Sequence, residues 1–204
     1  MGIYLVSVGA SEWFSEGEAD DEDGDVEDGF GTVAATLNDA LRERGRPPFT
    51  SLPEAAPLVR GSGLGFEEKL VPSMDGFVAL CEAHLSPAET DLLCGWTVLV
   101  PVSLDEEITL PVASGYTDQT TVAGAPQVLA LAERLAEAVE LPSAVPATSD
   151  NLDLTTWFRD GPAKDLAATR PGPWAEDLDT AFYVAVYLRA AQFVLRRGSP
   201  VLYS

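Results

Sequence analysis

The longest apolar stretch without a helix breaker runs from Trp174 to Arg197. Its apolar side chains would cover nearly the whole circumference of a helix, which is typical of a buried helix rather than an amphipathic one. Acidic residues stand in the first turns and arginines in the last, as the helix dipole favours, and Gly198 followed by Pro200 indicates the end. We therefore predict a central, mostly buried C-terminal helix.

Three other segments have the pattern of β-strands: Ile3 to Val8, Trp96 to Val102 and Glu107 to Val112. The first is a nearly continuous apolar run, which suits a strand buried on both faces. The other two are separated by a short polar connection and predict an antiparallel hairpin. Prolines within them indicate that at least one lies at a sheet edge or carries a bulge.

Amphipathic or capped patterns predict helices over residues 32–44, 74–85, 87–95 and 126–141. The third has a capping box, with Ser86 as the cap, Pro87 in the first turn and Glu89 three residues after the cap. A further short helix around 154–158 would use Asp150 or Asn151 as its cap. Residues 113–124 and 161–173 are predicted to be irregular.

These elements predict an α+β fold in a single domain over residues 1–204. A small mixed or antiparallel sheet would pack against five or six helices. The helix-rich interval of about ninety residues between the first and second predicted strands argues against regular βαβ alternation.

The formal net charge is −21, from 33 acidic and 12 basic residues. Ten of the eighteen residues from 11 to 28 are acidic, so we predict an acidic, mobile loop at 11–29, with Trp13 and Phe14 anchoring its start. Nucleic acids and anionic membranes bind basic surfaces, so both are excluded as partners. A basic protein or a cationic ligand fits this charge.

The leading functional hypothesis is a binding or inhibitor-type protein, resembling an immunity protein in its mode of action, that captures a basic partner. Nothing in the sequence has the form of a catalytic motif, so no catalytic residue is predicted. The partner-binding residues would be the acidic side chains of the loop: Glu16, Glu18, Asp20, Asp21, Glu22, Asp23, Asp25, Glu27 and Asp28.

Two possible metal sites are disfavoured. Asp21, Asp23 and Asp25 have the spacing of the first EF-hand ligands, but Val26 replaces the required glycine and Thr32 the required glutamate. Cys81, His84 and Cys94 lack the paired spacing of zinc sites, so we predict two buried free thiols and a hydrogen-bonded histidine in the core or at the surface. Weak divalent binding to the acidic loop stays open, and no specific metal site is predicted.

The glycine-rich segment from Gly61 to Gly65 matches neither a P-loop nor a dinucleotide-binding pattern, because Phe66 stands at the third glycine position. We predict a flexible connection there, and no cofactor.

The alternative hypothesis is an enzyme or small-ligand-binding protein with a pocket near the loop 113–124. This loop would follow a strand and precede a helix, a place where ligands often bind. Glu106 and His84 are further candidates for this pocket. The ligand-binding residues in the loop would be Ser114, Tyr116, Asp118 and Thr120.

A soluble, cytoplasmic protein is predicted. Residues 1–10 lack the basic start of a signal peptide, and Arg189 and Gln192 interrupt the apolar stretch that would have to span a membrane. Two cysteines are too few for a secreted disulfide scaffold.

Overall fold

The computed structural model describes residues 2–15, 30–114 and 117–204. Within these residues the chain forms one six-stranded sheet in the order β2-β1-β6-β3-β5-β4. Strands β3 and β5 are parallel, and every other neighbouring pair is antiparallel. The strands are β1 (Ile3–Ser7), β2 (Glu67–Leu70), β3 (Val98–Val100), β4 (Ile108–Leu110), β5 (Thr120–Gly124) and β6 (Val201–Tyr203).

Helices cover both faces of this sheet, so the predicted α+β fold with a mixed sheet is confirmed. The described residues contain more helices than the predicted five or six, because α1, α7 and α8 are short turns of helix that carry little periodic signal. The helices are α1 (Ala10–Trp13), α2 (Gly31–Glu43), α3 (Asp75–His84), α4 (Pro87–Cys94), α5 (Ala125–Ala138), α6 (Asp153–Arg159), α7 (Pro162–Thr169), α8 (Pro173–Glu176) and α9 (Leu178–Arg197).

The core has two layers, one on each face of the sheet. On one face Leu99 and Val201 pack with α3, α5 and α9. On the other face Val98 and Leu202 pack with α2 and Trp13. Adjacent strand residues enter opposite layers because successive side chains of a strand point to opposite faces.

Helix α9 is the buried central helix that the sequence predicts, since thirteen of its twenty residues are buried. It begins later than predicted, because Asp177 has an extended backbone that separates it from α8. Both Asp179 N and Thr180 N donate to Asp177 Oδ1 at 3.0 Å, so Asp177 caps the helix. Gly198 ends it with a left-handed φ of 74°.

Among the described residues, α9 alone is long and apolar enough to cross a membrane, with a mean hydropathy of 1.2 over its most apolar window. Of that window, 72% is buried inside the fold. Such burial is typical of the core helix of a soluble protein.

The predicted hairpin between the second and third strand segments is wrong. Strand β5 lies between β3 and β4 and pairs with both, for example Val122 with Val98 and with Ile108. Strand β5 was not predicted because it is short, consists mainly of small residues and follows a polar segment that resembles a loop. Strand β4 does lie at an edge, as its neighbouring proline indicates.

The other strands also differ from expectation. Strand β1 lies between β2 and β6, and the predicted burial on both faces is confirmed in part. Leu5 is buried in one layer of the core and Val6 packs against the other, whereas Ile3 is exposed. Strands β2 and β6 were not predicted. The sequence EEKL of β2 has no strand-like apolar pattern, and β6 has only three residues.

The predicted capping box at the start of α4 is confirmed. Glu89 N donates to Ser86 Oγ at 3.4 Å, and Ser86 N donates to Glu89 Oε2 at 2.8 Å. Replacing Ser86 with alanine removes one acceptor at the helix start and is expected to lower the free energy of unfolding by about 1 kcal/mol. Urea unfolding measures this loss. Ser86→Thr keeps the hydroxyl and should lose less, and equal losses in both variants would argue against the capping contribution.

Candidate functional site

The nine acidic residues predicted to bind the partner lie between 16 and 28, outside the described residues. The described chain does fix both ends of this segment, because Gly31 N donates to Ser15 O at 2.9 Å. The described residues on either side of the segment therefore lie next to each other. The loop predicted at 11–29 begins too early, because residues 11–13 belong to α1.

The two predicted anchors of this segment behave differently. Trp13 is fully buried and packs against Phe30 and Phe49, with ring centroids 6.4 and 6.1 Å away. Phe14, by contrast, is 41% exposed, so its prediction as an anchor is wrong. In a helix, adjacent residues point in different directions, and only one of the two meets the core.

The described members of the predicted ligand-binding set have different surroundings. Thr120 is buried in β5 and donates to Val112 O at 2.8 Å, while Ser114 is 5% exposed and donates to Thr97 Oγ1 at 3.3 Å. Asp118 is exposed, and Tyr116 lies outside the described residues. Two of the three described side chains thus use their hydroxyl groups inside the fold.

The carboxyl ends of the parallel strands β3 and β5 form another place where ligands often bind in sheets. Here the protein fills it with its own chain. Gln127 Oε1 accepts from Leu104 N at 3.2 Å, and Gln127 Nε2 donates to Ser103 Oγ at 2.8 Å. A Cβ at Gly124 would come within 2.5 Å of Val102 O. The described chain is therefore closely packed around Gly124.

The glycine-rich loop does surround an anion, and that anion is the chain's own Asp150. Gly65 N donates to Asp150 Oδ1 at 2.7 Å, Ser62 Oγ donates to the same oxygen at 3.2 Å, and Gly63 N donates to Asp150 Oδ2. Asp150 is fully buried. The predicted flexible connection is therefore wrong, because a carboxylate distant in sequence holds this loop in place.

Asp150 belongs to a carboxylate cluster that also contains Glu68 and Asp153. Asp153 Oδ2 accepts from Thr148 Oγ1 at 2.8 Å and from Gly61 N at 3.1 Å. The sequence predicted Asp150 or Asn151 as the cap of α6, and this prediction is wrong. Its N-cap is Leu152, which has a left-handed φ of 64°, and no side chain caps it from that position.

Glu68 supplies this cap from strand β2. It accepts from Leu154 N at 2.7 Å, from Thr155 N at 2.9 Å and from Thr155 Oγ1 at 2.8 Å, and it is fully buried. Burial raises the pKa of Glu68 to about 7, against the opposing effect of these hydrogen bonds. The carboxylate cluster is therefore a structural element whose acceptors are occupied by the protein's own donors.

This raised pKa predicts a pH dependence of stability. A carboxyl group with a higher pKa in the folded than in the unfolded chain binds its proton more tightly when folded. Its contribution to stability should fall as the pH rises from 4.5 to about 7 and stay level above that. The fall should not exceed about 1.4 kcal/mol per pH unit.

The test compares wild type with Glu68→Gln by urea unfolding across this range. The stability of Glu68→Gln relative to wild type should increase with pH. Glu67→Gln, at the next position of the same strand, should run parallel to wild type. A relative stability of Glu68→Gln that decreases with pH would show that the hydrogen bonds to α6 outweigh burial.

The proposed thiol and histidine roles are partly confirmed. Cys81 and Cys94 are both free; Cys81 is buried, whereas Cys94 is only partly buried. His84 is exposed at the end of α3, and its carbonyl oxygen accepts from Arg134 Nη2 at 2.8 Å. Across the described part of the chain, no three His, Cys, Asp or Glu side chains are placed to hold a metal ion together.

A different acidic surface appears between α5 and α9. It is a groove of about 540 Å³ whose rim carries Glu133, Glu137 and Glu140. Spacings of four and three residues place these glutamates on one side of α5 and the turn after it. Apolar side chains also line the groove, among them Leu141 and Leu188. We call this surface the acidic groove.

The three glutamates of the acidic groove are exposed, and none of them takes part in an ion pair with a described residue. The basic residue next to them in sequence, Arg134, is engaged elsewhere, with Glu89 and His84. The apolar pattern of α5 predicts only the face that packs inward. The outward spacing of the glutamates was visible, but their position beside α9 was not.

Comparison of the chain with protein-family models, with curated proteins and with solved structures gave no match. The functional conclusion therefore depends on the chain's own surface chemistry.

Proposed function

We propose that this protein is a binding or inhibitor-type protein that captures a basic protein partner through its acidic surface. The acidic groove is the described part of that surface, and the acidic residues between 16 and 28 are its second part. The observation that carries the proposal is a groove rimmed by three exposed carboxylates without an ion-pair partner among the described residues.

The groove suits long cationic side chains. Arginine and lysine pack their aliphatic stems on apolar surface while keeping the charged group at a polar rim. Ala136 and Leu141, which are both partly exposed, supply such a surface beside the glutamates. An arginine can also bind a carboxylate with two parallel hydrogen bonds, which adds geometric selectivity.

The distribution of charge supports a cationic partner further. Five arginines form ion pairs with the protein's own carboxylates within the described residues, so their charge is locally compensated: Arg42, Arg46, Arg60, Arg134 and Arg159. The excess of 21 negative charges produces a field that attracts basic molecules and speeds their association.

The same proposal includes a cytoplasmic location. Cytoplasmic reductants keep thiols reduced, and both cysteines of this protein are free.

Neutralising the groove is expected to weaken binding of a basic probe. The groove variant carries Glu133→Gln, Glu137→Gln and Glu140→Gln, and the probe is a fluorescent arginine-rich peptide followed by stopped-flow anisotropy. At about 0.1 M salt the association rate constant should fall at least about tenfold, because electrostatic steering contributes factors of about 10 to 1,000. At about 1 M salt the difference should nearly disappear.

A charge-matched variant separates the groove from the overall field. It carries Glu43→Gln, Asp160→Asn and Asp165→Asn, three exposed residues that do not line the groove, and it changes the net charge by the same amount. Its association rate constant should stay close to that of wild type. If both variants slow association equally, the peptide senses only net charge, and the groove is not the binding surface.

A further inference from the structure

Helix α5 ends with a charge distribution that its own dipole opposes. The C-terminal end of a helix carries a partial negative charge and is stabilised by nearby cations. Helices α2, α6 and α9 have arginine in their last turns. Helix α5 has no basic residue in its last turn, which contains Glu137, and Glu140 follows two residues after its end. The carboxylates and the helix end therefore add to one negative potential, which attracts a cation.

Glu140 also occupies a backbone position that favours glycine, since its φ of 52° lies in the left-handed region. Glu140 N donates to Glu137 O at 3.1 Å and Leu141 N donates to Ala136 O at 2.9 Å, which is the pattern of a glycine-terminated helix. No ion pair with a described residue offsets the cost of glutamate in this conformation. A carboxylate at this position therefore suits binding better than stability of the fold.

The acidic groove lies between α5 and α9, which pack against each other. Ala136 and Leu141, both partly exposed, line it together with Gln192 of α9. Gln192 Oε1 accepts from Arg189 Nη1 at 2.8 Å, and the amide N–H groups of Gln192 have no hydrogen-bond partner among the described residues. A groove between packed helices can receive a further helix, at interaxial distances of about 8–10 Å. The small side chain of Ala136 permits such a close approach.

The spacing of the three glutamates matches a helix better than an extended chain. Glu133, Glu137 and Glu140 span about 10.5 Å at a rise of about 1.5 Å per residue. A neighbouring helix with cations at positions i, i+3 and i+7 presents them on one face over the same length. An extended chain places side chains on one face about every 6.7 Å, so three cations span about 13 Å and lose this register.

We propose that the segment captured in the acidic groove is an amphipathic helix of the partner, with arginine or lysine at positions i, i+3 and i+7. It lies antiparallel to α5, so that its first cation meets Glu140, the second Glu137 and the third Glu133. This direction places the partially positive amino end of the partner helix towards the negative end of α5. The inference rests on the proposed capture of a basic partner and specifies the segment that binds.

The test compares two fluorescent synthetic peptides of identical composition by equilibrium anisotropy at about 0.1 M salt. Both are alanine- and glutamine-rich helices of about 20 residues, a length at which helices form in water, and circular dichroism checks that their helicity is equal. The face peptide has three arginines at i, i+3 and i+7, and the scattered peptide has them at i, i+5 and i+10, on three sides. Wild type should bind the face peptide at least about fivefold more tightly, because exposed ion pairs contribute a factor of up to about five each.

Glu140→Gly separates binding from folding in a single substitution. It should bind the face peptide about threefold to fivefold more weakly than wild type, because one ion pair is lost. Its melting temperature should nevertheless rise by about 2–4 °C, since glycine adopts the left-handed backbone without strain. Glu43→Gln, which removes an exposed charge that does not line the groove, should change neither quantity. Unchanged affinity of Glu140→Gly, or a lower melting temperature, overturns the inference.

The groove variant distinguishes this inference from the proposed function. A preference for the face peptide that wild type shows and the groove variant lacks supports both. If wild type binds the two peptides equally and the groove variant binds both more weakly, the groove captures basic chains without a helical register, and only the helix is contradicted. If the groove variant binds both peptides as wild type does, both proposals are contradicted.

Discussion

Replacing Asp150 with alanine is expected to lower the free energy of unfolding by about 2–4 kcal/mol, because a buried donor left without an acceptor costs about 1–3 kcal/mol. Gly65 is such a buried donor, whereas Ser62 is exposed and Gly63 is half-buried, so these two lose less. Asp150 is fully buried and accepts from the backbone N–H groups of Gly63 and Gly65 and from the Ser62 hydroxyl. The substitution would leave all three donors without this acceptor. The start of the loop would stay attached to α6, because Gly61 N donates to Asp153 Oδ2.

Urea unfolding measures this effect, and two variants calibrate it. Asp150→Asn keeps one oxygen acceptor and the volume of the side chain, so it should lose less than Asp150→Ala. Asp160→Ala removes an exposed carboxylate in the same part of the chain and should stay within about 0.5 kcal/mol of wild type. A loss below about 1 kcal/mol for Asp150→Ala would show that the loop does not depend on this carboxylate.

Replacing Phe182 with alanine is expected to cost about 3–5 kcal/mol, the usual range for a buried phenylalanine. Phe182 is 1% exposed, and its ring lies 5.7 Å from Phe158 and 5.3 Å from Tyr183 between ring centroids. The substitution would open a cavity where α9 meets α6. Phe193→Ala, nearer the end of α9, should behave in the same way, since Phe193 is 3% exposed.

Leu195→Ala provides the matched control within α9. Leu195 is 39% exposed, so its truncation should change stability by no more than about 0.5 kcal/mol. Thermal and urea unfolding of Phe182→Ala and Leu195→Ala would separate the stability lost with a buried side chain from the effect of the substitution on helix propensity. Similar small losses in both variants would contradict the central position of α9.

Periodicity was sufficient to predict α9, α2, α3 and α5, because long helices repeat their apolar pattern several times. The capping box of α4 was also visible, since its residues are close together in sequence. Strand order was not predictable in the same way. Strand β5 contains only five residues, and its place between β3 and β4 depends on contacts with distant segments.

Surface and polar features depend even more on distant contacts. The glycine-rich loop resembled a flexible connection because its partner, Asp150, lies more than eighty residues further along the chain. The acidic groove needs Leu188 and Gln192 of α9 beside the glutamates of α5. Neither neighbourhood can be derived from local spacing.

Buried and exposed carboxylates have different roles in this protein. Glu68, Asp150 and Asp153 accept hydrogen bonds from the protein itself and hold the glycine-rich loop, β2 and α6 together. The carboxylates of the acidic groove lie on the surface and make no ion pair within the described residues. The first set supports the fold, and the second forms the surface that we propose binds a basic partner.

The most direct test of partner capture uses three immobilised proteins: wild type, the groove variant and the charge-matched variant. Each is incubated with a lysate of cells that encode the protein, at about 0.1 M and about 1 M salt, and the bound proteins are quantified by mass spectrometry. We expect a basic protein that wild type and the charge-matched variant enrich equally at low salt and that the groove variant loses. An identical set of proteins on all three, or no basic protein that depends on salt, would contradict the account.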